Sequence, residues 1–93
     1  MTIEQIPLES EIERPAHEFA RSRGWFAEKI MRTGRRGFPD HIFIRNGRVI
    51  FIEFKRPGEL PRPQQVKRHR EMRCHGAEVF VIDNLDEARE VLR

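Results

Sequence analysis

The 93-residue chain has a single cysteine, no apolar run near the roughly 20 residues of a membrane-spanning helix, no opening signal-peptide pattern and no internal repeat. With Cys74 alone, an internal disulfide is excluded, a reducing compartment fits, and a buried, inert thiol is the expected state. The four histidines, His17, His41, His69 and His75, form no i, i+4 pair and have no cysteine cluster to join, which argues against a zinc site. They are expected at the surface or in packing, with one at most touching a phosphate. A cytoplasmic protein with no membrane partner and no small-molecule cofactor is the resulting expectation.

What is present fits one folded, soluble domain over residues 1–93, with 1–8 as a tail. The chain is 38% hydrophobic and 35% charged, with a mean hydropathy of −0.69. The net charge is only +3, but residues 14–75 hold sixteen Lys and Arg against six Asp and Glu, while both ends are acidic. A concentration of cations in the middle of a chain is the electrostatic footprint of a polyanionic partner.

The most informative stretch runs from Gly37 to Gln64, GFPDHIFIRNGRVIFIEFKRPGELPRPQ. Two runs rich in β-branched, aromatic and aliphatic residues, Asp40 to Arg45 and Arg48 to Lys55, flank Asn46-Gly47, a strong signal for a two-residue hairpin loop. Pairing Arg45 with Arg48 puts Asp40 directly opposite Glu53 in a non-hydrogen-bonded pair, with Cβ atoms roughly 4.5–5.5 Å apart on one face. Alternation adds Lys55 to that face and turns Ile50, Ile52 and Phe54 to the other. Opposed carboxylates repel and raise one another's pKa unless a cation lies between them. Hard divalent ions take carboxylate oxygens, and a neighbouring ammonium can orient or deprotonate a water or neutralise developing charge. Metal-assisted phosphodiester hydrolysis needs this equipment.

The rest of the chain reads as α-β-β-β-α-β-α. Ser10 to Glu13 has capping-box spacing, and Ile12, Ala16, Phe19, Ala20 and Arg23 trace one face of a helix over about 11–23, with Pro15 delaying its regular start to near Glu13 or Arg14. Trp25 to Thr33 suggests a strand, and 33–37 a flexible basic loop. The prolines of 56–63 exclude helix and paired strand, giving a rigid turn into a basic helix over about 64–75. Ala77 to Ile82 reads as a strand buried in the sheet, and Asn84 as the cap of a last helix over 85–92.

Pro39-Asp40, followed by Glu53-Phe54-Lys55 on the next strand, resembles the PD-(D/E)xK nuclease superfamily. The longer string, GFPD then IEFKRPGELPRPQ, resembles its VRR-NUC branch, found as stand-alone phage and bacterial proteins and as the nuclease domain of larger repair enzymes. The glycine two before the proline, the K-x-P-G-x-L turn and the glutamine four after Leu60 make the match specific, and it spans nearly the whole chain. The resemblance implies an α/β, restriction-endonuclease-like core, α-β-β-β-α-β(-α), with a central four-stranded mixed sheet flanked by helices. It implies Asp40, Glu53 and the Phe54 carbonyl as ligands of Mg²⁺ or Mn²⁺, Lys55 as the group that positions or activates water, and Gln64 as the helix glutamine near the site. The family's first-helix glutamate falls on Glu9 or on Glu13. The DNA contacts are expected at Arg35, Arg36, Arg56, Arg62, Lys67, Arg68 and Arg70.

The function implied is metal-dependent, structure-specific DNA cleavage of the Holliday-junction resolvase type by a homodimer acting on branched DNA, in a bacterial or phage-infected cell. A flap or nicking nuclease is the alternative within the enzyme class. A non-catalytic nucleic-acid-binding module is the alternative outside it, although a pure binder has no reason to keep two opposed acids in a basic surface.

Overall fold

The computed structural model describes residues 6–31 and 36–93. The order is α1 (Glu9–Ser22), β1 (Phe26–Lys29), β2 (His41–Arg45), β3 (Arg48–Phe54), α2 (Pro63–Cys74), β4 (Glu78–Ile82) and α3 (Leu85–Val91). Strands lie in the order β1-β2-β3-β4, antiparallel for the first two pairings and parallel for β3 with β4, so the sheet is mixed as expected.

The hairpin has the register counted from its turn: Arg45 pairs with Arg48 and His41 with Ile52, one step from the Asp40–Glu53 position. Asn46 (φ 50°) and Gly47 (φ 82°) both occupy the left-handed region, which a primed two-residue turn requires. From β3, Ile50, Ile52 and Phe54 are fully buried and join Ile12, Ala16 and Ala20 of α1, Phe43 of β2, Ile82 of β4, and Ala88 with Leu92 at the C-terminal helix. Trp25 closes this core by donating from Nε1 to the Leu92 carbonyl at 2.9 Å, while Arg45 stacks over its ring and donates to the Arg23 and Arg93 carbonyls.

Several sequence expectations give way. Helix α1 starts at Glu9, not after Ser10: Leu8 is its N-cap without a side-chain bond, and Glu9 and Glu11 complement the positive helix end instead. Pro15 lies inside the helix. The bond it cannot make would go to the carbonyl of Glu11, an exposed residue whose oxygen water can satisfy. Strand β1 stops at Lys29, four residues short of Thr33. Pro63 opens α2 rather than preceding it, at a first-turn position where a missing N–H costs nothing. Strand β4 is an edge strand, with Val79 and Ile82 buried and its other residues partly covered. Its unbroken apolar run reflects α2 packed on it, not burial between two strands. Cys74 is exposed, because α2 is polar nearly all round and buries only His69. Asn84 caps α3 as expected, accepting from Glu87 N–H at 2.8 Å. Among the described residues, no helix is long and apolar enough to cross a membrane.

Candidate active site

Glu53 sits near the C-terminal end of β3, where alternation turns it away from Ile52 and Phe54, yet it is only 2% exposed. Lys55, two residues on, is 7% exposed, and its backbone N–H bonds Ile82 O to extend the parallel pairing. Helix α2 packs against β4, and the Lys55 charge acts on its buried His69, so α2 lies near Lys55.

Asp40 precedes β2 and is half-buried; its N–H donates to the Glu53 carboxylate. Glu9, in the first turn of α1, completes the group: Glu9, Asp40 and Glu53 each offer an oxygen, all within 4.8 Å of one another. Of the two candidate glutamates on α1, Glu9 is the one in this cluster. Glu13, one turn on, points to His41 Nε2 (3.3 Å, without hydrogen-bond alignment) and Lys29 Nζ (3.7 Å), and its carboxyl also hydrogen-bonds Glu9.

The electrostatics follow from that packing. Burial first, and then the Asp40 charge, pushes the Glu53 carboxyl up to about 7, with Lys55 working in the opposite direction. Glu9 is also raised, by burial and then by Glu13, and again Lys55 lowers it. One ammonium therefore faces both glutamates. Glu53 Oε1 is buried and has no hydrogen-bond partner among the described residues, a costly state for a carboxylate oxygen. Three clustered carboxylates with an orphaned oxygen are a donor set for a hard divalent cation such as Mg²⁺ or Mn²⁺.

The other expected residues are more dispersed. The Phe54 side chain is in the core, and the carbonyl proposed as a ligand belongs to the last residue of β3. Gln64 is exposed in the first turn of α2 and, with Arg36, Lys67, Arg68 and Glu71, lines a groove of about 260 Å³. Arg68 donates to Arg36 O (3.4 Å) and pairs with Glu71 (2.9 Å). Gly37 explains the close fit there: its φ is +84°, and a Cβ would stand 2.3 Å from the Gln64 carbonyl oxygen. Arg62, Lys67 and Arg70 are exposed, whereas Arg56 donates to Pro7 O (3.3 Å). Arg73, on the same basic helix, donates twice to Val79 O and serves packing. Arg35 lies outside the described residues.

Three histidines take packing positions, as expected, with contacts that sequence reasoning missed. His41 is buried; its Nδ1 lies 2.8 Å from His17 Nε2, and the pair borders a cavity of about 300 Å³ together with Glu13 and Lys29. Burial drives both below the usual histidine range, His17 to about 4. A Glu13-His17 i, i+4 pair on the buried side of α1 was the available signal. His69 is buried too, hydrogen-bonded to the Gly37 backbone, with Nε2 unpartnered among the described residues.

The chain is 39% identical over 79 residues to the protein called "Putative nuclease p44" of Acyrthosiphon pisum secondary endosymbiont phage 1, covering 84% of this chain and 85% of that one. A solved structure described as "VRR_NUC domain" superposes with a TM-score of 0.71 at 28% identity, over 86% of this chain and 92% of its own. No family model matches.

Proposed function

The chain belongs to the VRR-NUC family, and on that premise we propose that it is a divalent-metal-dependent DNA endonuclease. The observation that carries this reading is the Glu9–Asp40–Glu53 cluster, oxygens within 4.8 Å of one another, with the nearly buried Lys55 acting on both glutamates.

Glu9, Asp40 and Glu53, with the Phe54 carbonyl, would hold the ion. When bound, it supplies Lewis-acid stabilisation of charge on the phosphate and a lowered pKa for its water. Lys55 Nζ orients the attacking water or offsets charge developing on the phosphate. Asp40 N–H keeps the Glu53 carboxylate turned toward the cluster. The raised Glu53 carboxyl sheds its proton on metal binding, so binding weakens as pH falls below neutrality. Arg36, Gln64, Lys67, Arg68 and the exposed Arg62 and Arg70 receive the DNA backbone, and Arg35 is assigned the same role.

Branched DNA is the substrate we assign, cut by a homodimer whose two sites act on two strands, in the manner of a Holliday-junction resolvase. One domain of this size grips little DNA alone, and closed two-fold symmetry places paired cuts symmetrically. The cytoplasm of a bacterial or phage-infected cell is the site of action. The test is cleavage of a four-way junction, a flap, linear duplex and single strand by wild type, Asp40→Asn and Lys55→Ala, with Mg²⁺, Mn²⁺ or EDTA. Paired symmetric cuts that need metal and both residues support the reading; unchanged cutting by Asp40→Asn overturns it.

A further inference from the structure

Lys55 leads directly into a loop, residues 56–62, whose exposed large hydrophobic side chain is Leu60, at 81%. A lone exposed leucine is ordinary on a protein surface. This one differs in how it is held. Pro57, Pro61 and Pro63 restrict the backbone on both sides, Glu59 N–H closes a turn onto Arg56 O at 2.9 Å, and Gly58 N–H is pinned to the Asp83 carboxylate at 3.0 Å. Downstream, Arg62 N–H is fixed by Gln65 Oε1 at 2.8 Å. The loop is therefore rigid, and covering Leu60 costs little ordering entropy.

Its position supplies the second argument. Arg56, the first residue of the loop, donates to Pro7 O at 3.3 Å, two residues before Glu9, which places the loop beside the end of α1 that carries the cluster glutamate, and the charge of Glu59 acts on Glu9. Arg62, exposed at the far end of the loop, suits a phosphate backbone running past it, and phosphates offer a leucine nothing; the apolar faces of bases do. A second copy of the chain is a poor fit, because one leucine among prolines and charges is far short of the roughly 800 Å² per partner of a stable interface. Aliphatic side chains that enter DNA do so as wedges between base steps, partly unstacking them.

We propose that Leu60 is such a wedge: it enters a base step next to the bond that is cut, and so selects sites where bases unstack cheaply, as at a branch point. This rests on the nuclease reading and adds to it a residue that determines substrate choice. Unstacking is least costly where pairing is already interrupted. The preference for branched over continuous duplex DNA then resides partly in one side chain.

The experiment compares wild type, Leu60→Ala and Leu60→Met on duplex, flap and four-way junction DNA carrying 2-aminopurine at each step around the cut, with Ca²⁺ in place of Mg²⁺ for binding and Mg²⁺ for cleavage. Wild type and Leu60→Met are expected to raise 2-aminopurine emission several-fold at one position. Leu60→Ala is expected to melt as wild type does, give no such rise, and cut the branched substrates about tenfold more slowly, as for one lost base contact, with single-strand cutting unchanged. Wild-type emission and rates from Leu60→Ala, in a protein that cuts, would overturn the wedge and leave the nuclease intact. Loss of self-association in Leu60→Ala would also overturn it, assigning the residue to a contact between copies. Leu60-dependent emission without cutting by wild type would sink the nuclease reading and keep the wedge; failure of wild type to bind any DNA would overturn both.

Discussion

Glu53 is the residue where the energetics of the site are most exposed to measurement. Burial and the Asp40 charge raise its carboxyl to about 7, from an ordinary glutamate value of 4.5. A group with a raised folded-state pKa contributes stability that is fully present below its unfolded pKa and is lost as pH rises through the folded one. Metal-free protein should therefore lose on the order of 3 kcal/mol from this group between about pH 4.5 and 7. His17 and His41, with lowered pKa values, act the opposite way, contributing stability above about pH 6.5 that is lost as pH falls, for His17 toward about pH 4. The difference between wild type and Glu53→Gln, followed by chemical denaturation in EDTA across this range, isolates the glutamate. Glu53→Gln should be the more stable of the two at pH 8 without metal, and should lose most of the stabilisation that Mg²⁺ confers on wild type. Asp40→Asn should lower cleavage by at least about 10²-fold in initial-rate assays, the scale on which removing one electrostatic catalytic group is felt. At this scale the sequence was legible where residues are close in the chain: Asp40, Glu53 and Lys55 follow from counting along a hairpin. Glu9 and Glu13 are one helical turn apart, and only the placement of α1 separates their roles. The His17–His41 contact spans 24 positions, so the Glu13–His17 spacing marks only its α1 side.

Elements carry the register that makes those contacts possible. The turn at Asn46-Gly47 requires positive φ at both residues, so a β-branched residue at position 47 is strained even though open space surrounds it. Gly47→Val should cost on the order of 1–3 kcal/mol in denaturant melts, with the loss traced to the hairpin that opposes Asp40 to Glu53. Gly37 faces a different constraint, because its positive φ is combined with a carbonyl oxygen 2.3 Å from where a Cβ would be. Gly37→Ala should lower both melting temperature and cleavage, since the segment leading to Asp40 must move off α2. The hairpin was legible because turn chemistry and strand alternation agree with each other. The start of α1 was not, because a local capping pattern at Ser10 competed with burial of Ile12 and acids placed at the helix end, and tertiary packing decided. Likewise, an apolar run such as 79–82 has one appearance whether a neighbouring strand or a helix covers it.

For the whole molecule, residues 14–75 hold sixteen Lys and Arg against six Asp and Glu, with Asp40 and Glu53 among the six. DNA affinity should fall linearly on a log–log plot against salt, and Lys67→Ala and Arg70→Ala should each reduce that slope by about one phosphate's worth in fluorescence anisotropy titrations. Arg73→Ala should instead lower stability with little change in slope, because its guanidinium is spent on Val79 O. Fold class was legible at this scale because element order, charge distribution and motif spacing point the same way. The seal between Trp25 and Leu92 carries its own meaning for the moment of synthesis. All the acids of the cluster have been translated by Glu53, yet the core that positions them waits on Ala88 and Leu92, and β3 waits on β4 for its second neighbour. A ribosome-bound chain shorter than this holds the acids of the proposed site without the frame that aims them, and on that proposal cutting becomes available only once α3 has docked.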